Sequence, residues 1–225
     1  MRAEFISGIR SNHQAFGIGL TDDSVELLAD YYDLIREHNP ILHLVGPCTP
    51  EEFATRHILE SLTLLELLPV DARFADIGPG AGLPSIPCLI ARGDLTAVLI
   101  ESKEKKTDFL RTAAAKLGLE ERAKVINKQF SEVTRPHVSH VACRALDKFS
   151  ERLPRLLKWS GERELLFFGG PTLRDEMKKL GLTFEEKLMP ISELRFLFVV
   201  RSSQPEAHGR KVSLTAPADG AAADR

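Results

Sequence analysis

The sequence predicts an α/β fold: a mostly parallel, doubly wound sheet of seven strands that ends in an antiparallel hairpin, with a helical extension in front of it. Three observations carry this. From Arg73 onward, short β-like runs alternate with helical segments, the pattern of a parallel sheet with crossover helices. The first run leads into a turn with glycine at every second position, Gly78, Gly80 and Gly82. The last two runs are joined only by Met189-Pro190-Ile191-Ser192-Glu193, which has no helical periodicity, so they must pair antiparallel.

Taken in order, residues 1–21 are expected to be a flexible N-terminus. Asp22 or Asp23 is expected to cap a helix running to about His38, because Leu27, Leu28, Tyr31, Leu34 and Ile35 recur at helical spacing. Asn39-Pro40 should end it. After a short apolar stretch, Ile41 to Val45, Thr49 as N-cap, Pro50 at the first helical position and Glu52 three residues on form a capping-box signature. The helix it starts is expected to reach about Leu68, so residues 22–70 read as the helical extension.

Residues 71–201 read as the main domain. Its strands are expected at Phe74–Ile77, Ala97–Ile100, Lys124–Ile126, His140–Cys143, Leu165–Phe168 and Phe196–Arg201, with a weaker one near Thr183–Leu188. Helices fit at about Ile86–Ala91, Lys103–Leu117, Lys148–Trp159 and Thr172–Leu180. The tail, residues 202–225, is rich in Ala, Gly, Pro and Asp with few large apolar side chains; it is expected to be disordered, because burial cannot offset its ordering entropy.

The bulk numbers bound the function. A chain of 225 residues with 43% hydrophobic content suffices for one α/β domain with extensions. Its most apolar stretches fall short of the roughly 20 residues of a membrane-spanning helix, so no membrane partner is expected. The N-terminus carries Glu4 and does not read as a signal peptide. Cys48, Cys88 and Cys143 are odd in number and far apart, which disfavours a disulfide framework and a zinc site. A cytoplasmic protein without a metal is the expectation. The net charge of −2 excludes a chain coated in positive charge. Between Glu101 and Lys128, however, eight Lys or Arg (Lys103, Lys105, Lys106, Arg111, Lys116, Arg122, Lys124, Lys128) stand against five acids, a face that reads either as solvated or as a nucleic-acid contact.

The segment FADIGPGAGLPSIP carries the chemistry. Glycines at Gly78, Gly80 and Gly82, after a strand ending near Asp76, let the backbone turn sharply and approach a ligand. The dinucleotide fingerprint G-x-G-x-x-G fits in neither frame, since its third glycine falls on Leu83 or Ser85. A pyrophosphate also needs free N–H groups at the next helix N-terminus, and Pro84 and Pro87 remove two of them. Glu101, at the end of the next strand, stands where an acid hydrogen-bonds ribose hydroxyls. Together these favour a phosphate-free nucleoside. As bland alternatives, the loop is only a turn and Glu101 only a helix cap.

The pattern acid-x-Gly-x-Gly-x-Gly, Asp76 to Gly82, looks like the S-adenosylmethionine loop of Rossmann-like class I methyltransferases. More specifically, NPILHLVGPCTPEEFATRHILESL, FADIGPGAGLPSIP, LIESKEKKTDFL, CRAL and RFLFVV resemble, in order, segments of the RsmG (GidB) family, bacterial 16S rRNA guanine-N7 methyltransferases. The likeness covers about Leu28 to Arg201. It implies S-adenosyl-L-methionine as cofactor and 16S rRNA or the small ribosomal subunit as partner. It places Asp76, Gly78 and Leu83 on the cofactor, with Gly80 and Gly82 shaping the loop, Glu101 on the ribose, and Phe130 and Ser131 around the adenine. Arg144 falls in the family's Ser-Arg-Ala position, where it positions base or cofactor; its alternative is a structural ion pair.

By the same resemblance, His57 and Glu60 match a His-x-x-acid pair on one helical face, and Lys105, Lys106 and His57 are candidates to contact RNA. Gln129 and Gly169 stand where the family commonly has a basic residue and a lysine, and His38 stands where it usually has tryptophan. Guanine N7 offers an unprotonated lone pair, so no catalytic base is expected, and catalysis rests on alignment. The alternatives left open are the same fold acting on a different substrate, and a non-catalytic cofactor- or RNA-binding assembly protein.

Overall fold

Side-chain alternation along the strands decides the layering. The structure, a computed structural model, describes residues 1–144 and 149–201. Its strands are β1 (Arg73–Ile77), β2 (Thr96–Glu101), β3 (Ala123–Asn127), β4 (His140–Arg144), β5 (Glu164–Gly169), β6 (Glu185–Leu188) and β7 (Phe196–Val200). They form one sheet in the order β3-β2-β1-β4-β5-β7-β6. The first five pair in parallel, while β7 runs antiparallel to both β5 and β6. The hairpin expected from the missing helical pattern is there.

Successive residues face opposite sides of a strand. Phe74, Leu99, Ala142 and Leu166 pack into one core layer, and Ala75, Ile77, Val141 and Phe167 into the other. The first layer is covered by the N-terminal helices together with α5 (Ser85–Ala91) and α6 (Glu104–Lys116); the second by α7 (Phe149–Ser160) and α8 (Pro171–Lys179). Between β3 and β4 there is no α-helix, only a 3₁₀ turn at Phe130–Glu132. Because β1 continues to β2 on one side and pairs with β4 on the other, the C-terminal ends of β1 and β4 flank the crevice where such sheets bind ligands.

Four expectations need correction. Residues 1–21 do not form a flexible arm: α1 (Arg2–Asn12) buries Phe5 and Ile9 completely, and the Phe5 ring stacks on Tyr32 at 4.6 Å. A distant aromatic partner supplies what the segment's own pattern lacks. The N-cap of α2 (Asp22–Leu42) is Thr21, whose hydroxyl accepts from the Ser24 N–H; Asp22 and Asp23 sit in the first turn, where their charge favours the helix dipole.

Pro40 lies inside α2 instead of ending it. The His43 N–H returns to the Asn39 carbonyl, and the Asn39 amide bonds both N–H and C=O of Val45, so the last turn is held from beyond the proline. The second helix begins with the expected capping box at Thr49 and Glu52 but is not uniform. Two α turns, α3 (Pro50–Glu52) and α4 (Glu60–Leu62), flank a π-helical stretch at Phe53–Leu59, and a 3₁₀ turn, Thr63–Glu66, ends the segment. The expected disordered tail, residues 202–225, lies outside the described residues, as does Lys148. No helix among the described residues is long and apolar enough to cross a membrane.

Candidate functional site

At the end of β1 the Asp76 carboxylate is fully buried. Its Oδ2 accepts from the Ser85 hydroxyl at 2.5 Å and the Ser85 N–H at 3.3 Å, while Oδ1 is buried with no hydrogen-bond partner. Desolvation pushes its pKa up to about 7, against the Ser85 hydrogen bonds and with help from nearby Glu101.

The chain then passes through Gly78, Gly80 and Gly82, all with positive φ (66°, 57° and 97°). Two of them serve different ends. A Cβ on Gly82 would lie 2.5 Å from Ile86 Cγ1, so this glycine packs the loop onto α5. A Cβ on Gly80 would meet only Lys106 Nζ at 3.8 Å, so there the backbone faces open space. The Tyr31 hydroxyl, from α2, donates to the Ala81 carbonyl at 2.7 Å and fixes the loop from the other side.

The N-terminus of α5 is closed to an anion. Ser85 N–H points at Asp76, Ile86 N–H returns to the Gly82 carbonyl at 2.7 Å, and Pro84 and Pro87 have no N–H to offer. This region is no phosphate cradle. Glu101 ends β2 nearly buried, accepting from Lys103 N–H at 2.9 Å and Gly80 N–H at 3.2 Å. Its carboxylate thereby joins the glycine turn to the start of α6.

These elements border a cleft of about 290 Å³. Gly78, Gly80, Leu83, Glu101, Lys106, His57 and Arg144 line it; Asp76 lies beneath it and Gly82 belongs to the turn. Phe130 and Ser131 do not line it: the Phe130 ring packs edge-on to Trp159 at 6.0 Å, and Ser131 is exposed. Lys105 borders a separate hollow beside Ile41, Leu42 and His43. Sequence reasoning missed Tyr31 as a loop anchor, Arg152, and the cleft wall at Leu44, Val45 and Gly46. The wall's one signal was Asn39, whose amide braces Val45.

Arg144 leaves β4 and turns its guanidinium toward the helical extension. Its Nη2 bonds the Arg56 carbonyl and Glu60 Oε2 (3.3 Å), Nη1 makes only a 3.5 Å contact to the Ser61 hydroxyl, and the group lies 5.4 Å from the Phe168 ring centre. Glu60 is 2% exposed, and its other oxygen accepts from Arg195 Nε. Arg144 is therefore both a wall of the cleft and an ion-pair partner. His57 and Glu60, expected on one helical face, border different spaces: His57 the cleft, Glu60 a second hollow beyond Arg144. Burial, with Arg144, Arg56 and Arg195 nearby, pushes the His57 pKa down to about 4, and its Nδ1 is buried without a partner. At neutral pH His57 is an uncharged imidazole.

Comparison with known sequences decides the family: that of rRNA small subunit methyltransferase G (GidB) matches residues 24–205. The chain belongs to this GidB family. Relatives named ribosomal RNA small subunit methyltransferase G include one from Pelotomaculum thermopropionicum, 40% identical over 114 residues, covering 50% of this chain and 48% of the relative. Another, from Sorangium cellulosum, is 41% identical over 115 residues, again 50% and 48%. The match thus spans about half the length of these two GidB relatives. A third, from Paracoccus denitrificans, is 36% identical over 135 residues, covering 60% of this chain and 67% of the relative. Among solved structures, the mitomycin 7-O-methyltransferase MmcR is similar with a TM-score of 0.56 at 15% identity, covering 76% of this chain and 60% of that one. MtNAS, solved in complex with MTA and tNA, gives 0.57 at 15% identity, covering 79% and 70%. At such identities the likeness is one of fold.

Proposed function

We propose that this GidB-family protein is a class I, S-adenosyl-L-methionine-dependent methyltransferase that methylates guanine N7 in 16S rRNA of the small ribosomal subunit, in the cytoplasm. The observation that carries the reading is the cleft at the β1/β4 crevice: Glu101 lines it, Asp76 is buried beneath it, and the adjoining helix N-terminus has no free N–H for a pyrophosphate. Those residues fit a phosphate-free, cationic nucleoside. Glu101 suits ribose hydroxyls, the open backbone at Gly80 suits close approach, and the buried Asp76 and Glu101 carboxylates favour a positive ligand. The family's Phe130 and Ser131 roles beside the adenine find support in the position of their turn, which follows β3, where Asn127 pairs with Glu101. Residues 22–70 are then a helical extension that walls the cleft, and 71–201 the methyltransferase domain.

The cofactor supplies an electrophilic methyl group on a sulfonium. The protein's part is alignment, since guanine N7 already carries its lone pair and no proton must leave first. Leu83 and the glycine turn hold one side of the cleft, and Arg144 stands on the acceptor side at the end of β4. Its charge alone would oppose a cationic cofactor; the Glu60 carboxylate, 3.3 Å away and shared with Arg195, offsets part of it. His57 stays neutral and adds no further positive charge. Lys106 on the rim and Lys105 beside it suit RNA phosphates. Isothermal titration with S-adenosyl-L-methionine tests the cleft. Labelled cofactor with small subunits from a strain lacking the protein tests the transfer; no label at guanine N7 refutes it.

A further inference from the structure

Arg152, a wall residue of the cofactor cleft, begins a line of cations that leads away from it. α7 carries Arg152, Arg155 and Lys158 three positions apart, each about 4.5 Å further along the helix axis. Arg155 and Lys158 are exposed. Arg135, from the loop before β4, continues the line past the end of α7: its Nη1 lies 2.5 Å from where a Cβ on Gly161 would stand. We propose that this line is a docking track for the phosphate backbone of the RNA substrate, running along α7 to the mouth of the cleft at Arg152. The proposal rests on the methyltransferase reading above and concerns a different helix from Lys105 and Lys106.

These cations differ from many others on the surface in having no acid to answer them. Arg2 is matched to Asp33, Arg10 to Asp22, Arg111 to Asp108, Lys179 to Glu176 and Lys187 to Glu66. Among the described residues, Arg135, Arg152, Arg155 and Lys158 meet no carboxylate. The one acid of α7, Glu151, lies in its first turn, where the helix dipole favours it. In a chain of net charge −2, unmatched cations set in file make a local field that draws an anion to one face.

The rest of α7 decides which anion fits. Leu153 and Leu156 are fully buried in the core layer beneath the sheet, so the apolar face of the helix is already committed. A helix that lies on a lipid surface needs a free apolar face beside its cations, and α7 offers none. A lone phosphate calls for donors that converge on one point. Here the side chains of α7 are spread over about 9 Å, the arrangement that successive phosphates of one strand require. The track is also held in place. Between β3 and β4 only the 3₁₀ turn Phe130–Glu132 flanks this helix: the Trp159 Nε1–H donates to the Val133 carbonyl at 2.9 Å, and the Phe130 ring meets Trp159 edge-on. That contact steadies α7 from the side and leaves Arg155 and Lys158 in solvent. Phosphate contacts fix register and orientation and carry no base identity. The track therefore presents the RNA to the cleft, and choice of the base belongs to the site itself.

The chain has its own reporter, because its single tryptophan, Trp159, stands on α7 next to Lys158. Titrating 16S rRNA into the full chain saturated with S-adenosylhomocysteine should change the Trp159 emission, and the slope of log Kobs against log salt counts the phosphates contacted. The double variant Arg155→Gln/Lys158→Gln should lower that slope by about 1.4 to 1.8, the loss of two contacts. It should also raise KM for small subunits several-fold, with kcat and cofactor affinity by calorimetry as in the wild type. The charge-preserving pair Arg155→Lys/Lys158→Arg should restore the slope. Lys116→Gln/Lys124→Gln removes the same charge from α6 and β3 and should leave slope and KM near the wild type. An Arg155→Gln/Lys158→Gln variant that binds rRNA no differently from this control overturns the proposal, as does a wild type that prefers vesicles of anionic phospholipid to rRNA. Label at guanine N7 with an unaltered salt slope sinks the track alone. The expected slope loss without any methyl transfer leaves the track as an RNA-docking face and sinks the methyltransferase reading.

Discussion

The Tyr31 hydroxyl donates to the carbonyl of Ala81, 2.7 Å away and fifty positions along the chain, with both groups buried. One bond thus ties the middle of α2 to the glycine turn. Tyr31→Phe leaves the Ala81 carbonyl buried without its donor, at a cost of about 1–3 kcal/mol. Urea unfolding should show that loss, and titration calorimetry a weaker affinity for S-adenosyl-L-methionine. Unchanged affinity would mean the turn holds its shape without α2.

Glu101 accepts two backbone N–H bonds, from Gly80 and Lys103, so Glu101→Ala should both slacken the turn and remove the acid meant for the ribose. The expected loss is about 1.5–3 kcal/mol, roughly tenfold to a hundredfold in Kd by calorimetry. A variant that binds as the wild type does would remove Glu101 from the site.

The N-terminal helix is part of the core. Phe5 is fully buried, stacked on Tyr32 at 4.6 Å and 6.0 Å from Phe53, and Phe5→Ala should cost about 3–5 kcal/mol in denaturant unfolding. A loss below about 1 kcal/mol would restore the flexible arm that the sequence suggested.

Two buried groups pull stability in opposite directions with pH. Asp76 titrates near 3.8 when unfolded and about 7 when folded, so between these values the folded state holds more protons and stability falls as pH rises. His57 titrates near 6.5 unfolded and about 4 folded; there the unfolded state holds more protons, and stability is lost as pH falls. Each contributes up to about 1.4 kcal/mol per pH unit, and between roughly pH 4 and 6.5 they oppose each other. Relative to the wild type, Asp76→Asn should gain stability progressively as pH rises from 4 to 7. His57→Gln should lose its advantage progressively over 4 to 6.5. Parallel stability–pH curves for the wild type and both variants would show that neither group is shifted.

Much of the fold was legible because its signals are local. The hairpin followed from the absence of helical spacing between residues 189 and 193, the capping box from Thr49 and Glu52 alone, and the acid of β2 from its distance to the glycines. What escaped depends on partners far along the chain. α1 is held by Tyr32 and Phe53, and α2 survives Pro40 because Asn39 finds Val45 across a turn. The second hollow beside Arg144 needs Glu60 and Arg195, which lie 135 positions apart. The π-helical stretch also escaped: an α-helical spacing rule put His57 and Glu60 together, and the structure sets them on different spaces. Gly80 and Gly82 looked equivalent in sequence, and only the neighbours of each separate the open position from the packed one.

The most direct test of the account is methyl transfer itself. Small subunits from a strain lacking this protein, incubated with it and labelled S-adenosyl-L-methionine, should acquire label at N7 of a guanine in 16S rRNA. Arg144→Ala should bind the cofactor yet transfer at least tenfold more slowly, as expected when a charged hydrogen-bonding group is lost from the aligning wall. Label absent from guanine N7 with the wild-type protein, under conditions where the cofactor binds, would contradict the account.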